Sequence, residues 1–203
     1  MKLYNSVGPN PLVVRMFMAE RGISIPLVEV DLRGGENRRE PYLTKNPSGQ
    51  LPALELDDGG MLCEILPICE YLDEITPGAS LIGATAEARA RTRMWTRRID
   101  LTIAEPMANG FRFGLGLKLF ANRIRCIPEA AEGLIATAQD GLAWVDSQIA
   151  GREWICGDHF TLADILLFAF VDFGISVRQP LNPDFSAIAA WYARVKARPS
   201  AAA

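Results

Sequence analysis

Residues Asn46–Leu72 read NPSGQLPALELDDGGMLCEILPICEYL, and their punctuation decides how the first third of the chain folds. Asn46-Pro47-Ser48-Gly49 is turn chemistry, with glycine supplying a positive φ without steric cost. Ala53 to Leu56 alternates apolar residues with Glu55, and Asp58-Gly59-Gly60 is a hairpin signal before Met61-Leu62-Cys63. Ile65, Ile68, Cys69 and Leu72 fall at i, i+3, i+4 and i+7, one face of a helix that begins just after Glu64. Pro67 fits because the amides of a first helical turn have no intrahelical partner. A ligand here meets extended backbone near Leu51-Pro52 and a helix N-terminus near Glu64 and Ile65. Such a pocket suits a peptide-like anion.

Upstream, Lys2 to Asn5 reads as a short strand and Ser6 to Pro9 as a loop. Asn10 reads as the N-cap of a helix with Pro11 at its first position, and the helix stops at Gly22. Leu27 to Leu32 alternates apolar and acidic residues and reads as a second strand. Arg33 to Arg39 is a polar loop, and Glu40 to Lys45 one or two helical turns. Residues 1–76 are therefore expected to form a strand-helix-strand-helix-strand-strand-helix unit.

Thr76 to Ala84, TPGASLIGA, is small and turn-prone, which places a linker at 77–85 and a second domain at 86–203. That second domain reads as all helix. One helix runs from Ala86 to about Met107, and glycines 110, 114 and 116 break the pattern after it. Others run from Pro128 to Ile149, Leu162 to Val177 and Phe185 to Ala197. The arginines at 89, 91, 93, 97 and 98 read as a solvated or subunit-facing helix surface. Thr161 with Asp164 has the spacing of a capping box, and Phe160 with Ile165 that of a hydrophobic staple. The nearly all-apolar helix behind them is the expected centre of this domain. The fold class is α/β plus all-α: a mixed four-stranded sheet unit followed by a helical bundle.

The composition narrows the function. With 21 basic and 24 acidic residues the net charge is −3, which argues against a nucleic-acid partner. No apolar run is long enough to cross a bilayer, and the first residues lack a signal-peptide core, so a cytoplasmic protein is expected. His159 is the single histidine, which excludes multi-histidine metal sites. It lies in the capping loop, where a structural hydrogen bond is the expected role. Cys63, Cys69, Cys126 and Cys156 form no CxxC and no metal-finger spacing, and read as reduced core residues.

The assembled pattern resembles the cytosolic glutathione S-transferase family, with its thioredoxin-like first domain and all-helical second domain. Asn46 to Leu54, the Asp58-Gly59 turn, Glu64 with Ile68 and Tyr71-Leu72, and Gly157-Asp158 through Asp164 carry the resemblance. Gly8-Pro9-Asn10-Pro11 with Val14-Arg15 and Ala19-Glu20-Arg21-Gly22 is most similar to bacterial and fungal members that lack the usual catalytic tyrosine. The resemblance implies a cis peptide before Pro52 and pairing of the Leu51 backbone with the cysteinyl part of glutathione. It also implies a γ-glutamyl site at Glu64 and Ile65, a glycine-carboxylate partner at Arg38 or Arg39 with Gln50 nearby, and Asp100 of a partner subunit in a homodimer. A small apolar electrophile is expected against Met107, Phe111 and Phe113. No metal cofactor, nucleic acid or membrane partner is implied, and the general role is detoxification.

Two departures from the family pattern bear on activity. The residue after the acidic one is usually serine and here is Ile65, which removes a hydroxyl donor worth roughly 1.5–3 kcal/mol to a charged partner. Asn5 and Asn10 stand where the family places tyrosine or cysteine or serine. Asn10 has two readings, a helix cap alone or a cap that also donates to the glutathione sulfur, and Ser6 is a second candidate donor. Ala108-Asn109-Gly110-Phe111-Arg112 is followed by Phe113, where some relatives hold a water with a histidine. The leading expectation is a glutathione transferase; the alternative is a glutathione-binding or protein-interaction module with little turnover.

Overall fold

Four short strands make one mixed sheet in the order β2-β1-β3-β4. A computed structural model describes residues 1–203. The strands are β1 (Lys2–Asn5), β2 (Leu27–Glu29), β3 (Ala53–Glu55) and β4 (Met61–Cys63). β1 is parallel to β2 and antiparallel to β3, which pairs antiparallel with β4. The helices of this part are α1 (Pro9–Arg21), α2 (Tyr42–Lys45) and α3 (Ile65–Ile75). Side chains alternate across a strand. Tyr4 and Ala53 therefore share one face, where they join Val30, Tyr42 and Leu51 in a small core. Leu3 and Leu54 turn to the opposite face and are fully buried, as are Val13, Phe17, Ile68 and Leu72 of α1 and α3.

Three local readings of the sequence are corrected in this unit. Asn10 does not cap α1: Gly8, at φ 117, holds the cap position, and Asn10 is the second helical residue. Pro9 has a φ already suited to a first helical position, which starts the helix before Asn10. β2 ends at Glu29 instead of Leu32. It is an edge strand, and its ladder closes with Val30 N–H on the Asn5 carbonyl at 2.9 Å, after which Asp31 N–H turns to the Glu36 carboxylate at 2.7 Å. The loop after it also contains a 3₁₀ turn, Glu36–Arg38. Gly22 ends α1 in the left-handed conformation, as expected, at φ 64. Arg21 beside it forms a buried ion pair with Asp73 at 3.1 Å and donates to the Thr76 carbonyl, holding the end of α3.

The chain divides into two compact units, Met1–Leu81 with Ala202–Ala203, and Ile82–Ala201. The second is helical: α4 (Ala86–Ile99), α5 (Glu105–Phe113), α6 (Leu117–Phe120), α7 (Ala131–Ile149), α8 (Leu162–Ser176) and α9 (Ser186–Lys196). The first of these does not stop near Met107. A π-helical turn, Asp100–Ala104, carries α4 into α5, and the helix continues to Phe113. α7 crosses this turn closely: a Cβ on Gly141 would stand 2.5 Å from the Thr102 carbonyl oxygen. α7 itself starts at Ala131, after a 3₁₀ turn at Pro128–Ala130. No helix is long and apolar enough to cross a membrane.

Residues 162–171 of α8 are buried without a break, as its apolar sequence requires. Its start is fixed by the capping box of Thr161 and Asp164. The Asp164 carboxylate accepts from the Ile155 and Thr161 amides at 3.0 and 2.9 Å, the Trp191 indole at 2.9 Å and the Thr161 hydroxyl at 3.2 Å. Burial pushes its pKa up to about 6, and these donors pull the other way. Phe160, expected to staple to Ile165, has its ring edge-on to Trp154 with the Arg198 guanidinium over it.

Two stability measurements follow from these contacts. Asp164→Ala leaves two buried amides and an indole N–H without acceptors, and thermal unfolding is expected to show a loss of about 3–5 kcal/mol. The Glu55 carboxyl is held at about 2, first by the Tyr4 hydroxyl, then by Lys45 and Lys2. A depressed carboxyl stabilises the fold above its unfolded pKa, here 4.5, and loses that effect as pH falls through about 2. Denaturation midpoints of wild type and Glu55→Gln are therefore expected to differ most above about pH 5 and to converge toward pH 2.

Candidate functional site

The strand register lines up the candidate residues. Tyr4 pairs with Ala53, and Ala53 with Cys63. One step beyond that row the chain leaves the sheet along a single edge: at Asn5, the last residue of β1, and Ser6, at Leu51 and Pro52 before β3, and at Glu64 and Ile65 after β4. Neighbouring strands lie about 4.8 Å apart, so three of them span about 10 Å, the scale of a short peptide.

Two helices begin at this edge. Neither α1 nor α3 has an acidic residue in its first turn, so the positive end of each dipole is not offset from within. In α1, Pro9 and Pro11 have no N–H, and Leu12 N–H bonds the Gly8 carbonyl at 3.3 Å. Asn10 thus supplies the one uncommitted amide of that turn, together with a side chain that makes no cap bond. In α3, Ile65 and Leu66 provide the free amides, since Pro67 has none and Ile68 N–H bonds the Glu64 carbonyl at 3.2 Å. Glu64 precedes them at φ 71 and ψ 138, and only one other non-glycine residue, Arg178, has a positive φ. An L-residue persists in such a conformation where its surroundings over-determine it, and such residues cluster at ligand sites.

The approach to Leu51 is built from side chains that sequence reading missed. Gly49 O accepts from Asn37 Nδ2 at 2.6 Å, and Gln50 O accepts from both the Tyr42 hydroxyl at 2.6 Å and Asn46 Nδ2 at 2.9 Å. Asn46 Oδ1 in turn accepts from the Ser48 hydroxyl and amide at 2.8 and 3.2 Å. The Asn46 turn was visible as composition; the Tyr42 and Asn37 bonds join residues that only the fold brings together. The Leu51–Pro52 peptide is cis, as the resemblance implies, and so is Glu40–Pro41.

The remaining candidates are placed as follows. Ser6 is buried, and its hydroxyl donates to the Val30 carbonyl at 2.7 Å, so its proton is not free for a ligand sulfur. Asn5 is likewise engaged, donating to Glu29 at 2.6 Å and accepting from Arg15 at 2.7 Å. Arg39 donates to the carbonyls of Gly34 and Gly35 within its own loop, and Arg38 to Ser48 O at 3.1 Å. Gln50 exposes its side chain at the edge while its carbonyl is held inward.

In the second unit Met107 is 1 % exposed, its carbonyl accepting from Gln179 Nε2 at 3.1 Å. A Cβ on Gly174 of α8 would stand 2.9 Å from its sulfur. Met107 is core, not the pocket wall expected, because the helix continues past it and turns it toward α8. Phe111 is half-buried, edge-on to Phe173 at 5.3 Å and Phe120 at 6.0 Å, and Phe113 is half-buried at the end of α5. His159 is exposed in the loop before α8. The four cysteines are free. Burial pushes the thiols of Cys63, Cys69 and Cys156 upward, away from thiolate character. No three His, Cys, Asp or Glu side chains are grouped to hold a metal ion.

Known proteins match this arrangement over nearly the whole chain. The family models for the glutathione S-transferase N-terminal and C-terminal domains match residues 7–75 and 136–199. Glutathione S-transferase 2 of Saccharomyces cerevisiae is 32% identical over 95% of this chain and 84% of its own length. Glutathione S-transferase GstA of Escherichia coli O157:H7 is 31% identical over 98% of this chain and 94% of its own. The crystal structure of a glutathione S-transferase domain-containing protein from Marinobacter aquaeolei VT8 superposes with a TM-score of 0.92 at 35% identity, covering 98% of this chain and 99% of that one. With both family models matched and relatives of this identity spanning its length, the chain belongs to the glutathione S-transferase family.

Proposed function

We infer that this protein is a glutathione transferase that joins the glutathione sulfur to a small hydrophobic electrophile. The observation that carries the reading is the single sheet edge shared by the Leu51 backbone, the free amides of Ile65 and Leu66, and the N-terminus of α1. Glutathione is an extended tripeptide with a carboxylate at each end. Its cysteinyl backbone would pair with Leu51 like an added strand, with Pro52 shaping the bend. Glu64 and the Ile65 amide would take the γ-glutamyl end, where a helix N-terminus favours a carboxylate. The glycine end would lie toward Gln50 and Arg39. The identity to proteins named glutathione S-transferases supports conjugation as the reaction.

The chemistry asks the site to hold the sulfur as thiolate. A free thiol near pKa 8.5 is only about a few per cent ionised at neutral pH. The α1 dipole and the Asn10 amide and side chain favour the anion; the thiol proton leaves to solvent. The thiolate then attacks the electrophilic carbon, a carbon–sulfur bond forms, and the leaving group departs with its electron pair. Ser6 drops out as direct donor because Val30 takes its proton. Phe111 and Phe113 remain as apolar candidates for the electrophile side. The raised cysteine thiols speak against a reductase that works through a protein cysteine. A homodimer, a cytoplasmic location and a detoxifying role complete the proposal. A second reading, a glutathione-binding module with little turnover, is favoured by Ile65, which offers no hydroxyl where the family usually has one.

Calorimetric titration with glutathione, then conjugation of an aromatic halide across pH 6 to 8, separates the two. A transferase is expected to bind and to gain rate with pH; binding without turnover leaves the module, and no binding at millimolar glutathione ends both. Ile65→Ser is expected to tighten glutathione binding about tenfold, since a hydrogen bond to a charged group is worth roughly 1.5–3 kcal/mol. Asn10→Ala is expected to raise the pH midpoint of kcat at saturating glutathione by about one unit, read from the same rate profile. An unmoved midpoint would clear Asn10 of any part in activating the thiol.

A further inference from the structure

We propose that Tyr42 and Asn46 are positioning residues that aim the Leu51 N–H at the ligand by pinning the carbonyl of the same peptide; this rests on the glutathione-binding reading above. The Gln50–Leu51 peptide is trans. In a planar trans peptide the C=O and N–H point in opposite directions, so fixing one fixes the other. Gln50 O receives two donors from the inner side, the Tyr42 hydroxyl at 2.6 Å and Asn46 Nδ2 at 2.9 Å. The Leu51 N–H therefore faces outward, and no acceptor within the chain takes it.

Both donors are themselves immobilised. Tyr42 is 3% exposed, with its ring edge-on to Tyr4 at 5.8 Å, and burial raises its hydroxyl pKa, which keeps it a donor. Asn46 is 3% exposed, its Oδ1 taken by Ser48, its own N–H on the Tyr42 carbonyl at 2.9 Å, and its carbonyl accepting from Gly49 N–H at 2.8 Å. Asn37 Nδ2 repeats the device one peptide earlier, on Gly49 O at 2.6 Å. Two successive carbonyls are thus held inward by buried amide and phenol groups before the chain reaches Leu51. A turn needing only stability would be served by its backbone bonds and by Ser48. Donors doubled on one carbonyl fix the direction of a peptide plane, and a fixed N–H needs no reordering when a ligand carbonyl arrives.

The test uses the whole protein and two ligands: glutathione, and an alkene isostere of its cysteinyl–glycine amide, which keeps the shape and lacks the carbonyl that Leu51 would meet. Wild type is expected to lose about tenfold in affinity on going from glutathione to the isostere. In Tyr42→Phe, which keeps the buried ring, glutathione KM is expected to rise about five- to tenfold and the isostere penalty to shrink below about threefold. The electrophile KM and the pH midpoint of kcat stay unchanged. Asn46→Ala, checked by its melting temperature, is expected to act in the same direction. Tyr42→Phe with wild-type glutathione affinity, or with the full isostere penalty retained, would overturn the assignment while leaving glutathione binding intact. Failure of wild type to bind glutathione at all would overturn the functional reading and this inference with it.

Discussion

The row Tyr4–Ala53–Cys63 is the constraint on which the first unit depends. Because β3 is antiparallel to its neighbours on both sides, the end of β1, the beginning of β3 and the end of β4 fall at one edge. A shift of one residue in either pairing would turn the Leu3 and Leu54 side chains out of the core, so burial enforces the register. The same register brings together two helix starts and one extended backbone. Packing of the sheet and assembly of the site are thus a single event.

Around that edge the polar groups divide by role. Asn5, Ser6, Arg15 and Glu29 form a closed set of bonds that shapes the loop between β1 and α1. Tyr42, Asn46 and Asn37 do the same for the turn before Leu51. What these sets leave free is backbone: the Leu51 N–H, the first amides of α3 and the Asn10 amide. Main-chain groups on rigid supports suit recognition of a peptide, whose own main chain offers the complementary pattern. Glu64, held at positive φ between β4 and α3, lies where the strand end and the helix start are both fixed by packing.

The second unit is ordered by different means. α8 is so apolar that its position is dictated by burial, and the Asp164 carboxylate ties its start to Ile155 and to Trp191 of α9. The π turn at Asp100–Ala104 shows a local irregularity stabilised by a tertiary contact, the close crossing of α7 at Gly141. Beyond it Met107 and Phe111, one turn apart in α5, both face α8, Met107 at Gly174 and Phe111 at Phe173. Met107 is fully enclosed there, while Phe111, nearer the end of α5, is half-buried.

The pattern of apolar periods, glycines and prolines by itself determined the order of elements, both strands of the hairpin, the start of α3 after Glu64 and the capping box at Thr161 and Asp164. These are local features, set by residues within a few positions of one another, and so they are written in adjacent letters. Tertiary structure decided the rest. It shortened β2 at an unpaired edge, carried a helix through Gly110 until Gly114 ends it, and took the Ser6 proton for Val30. It also supplied Tyr42 and Asn37 as supports of the turn before Leu51. Each of these outcomes depends on a partner distant in the chain, whose hydrogen bond or close approach no stretch of sequence contains.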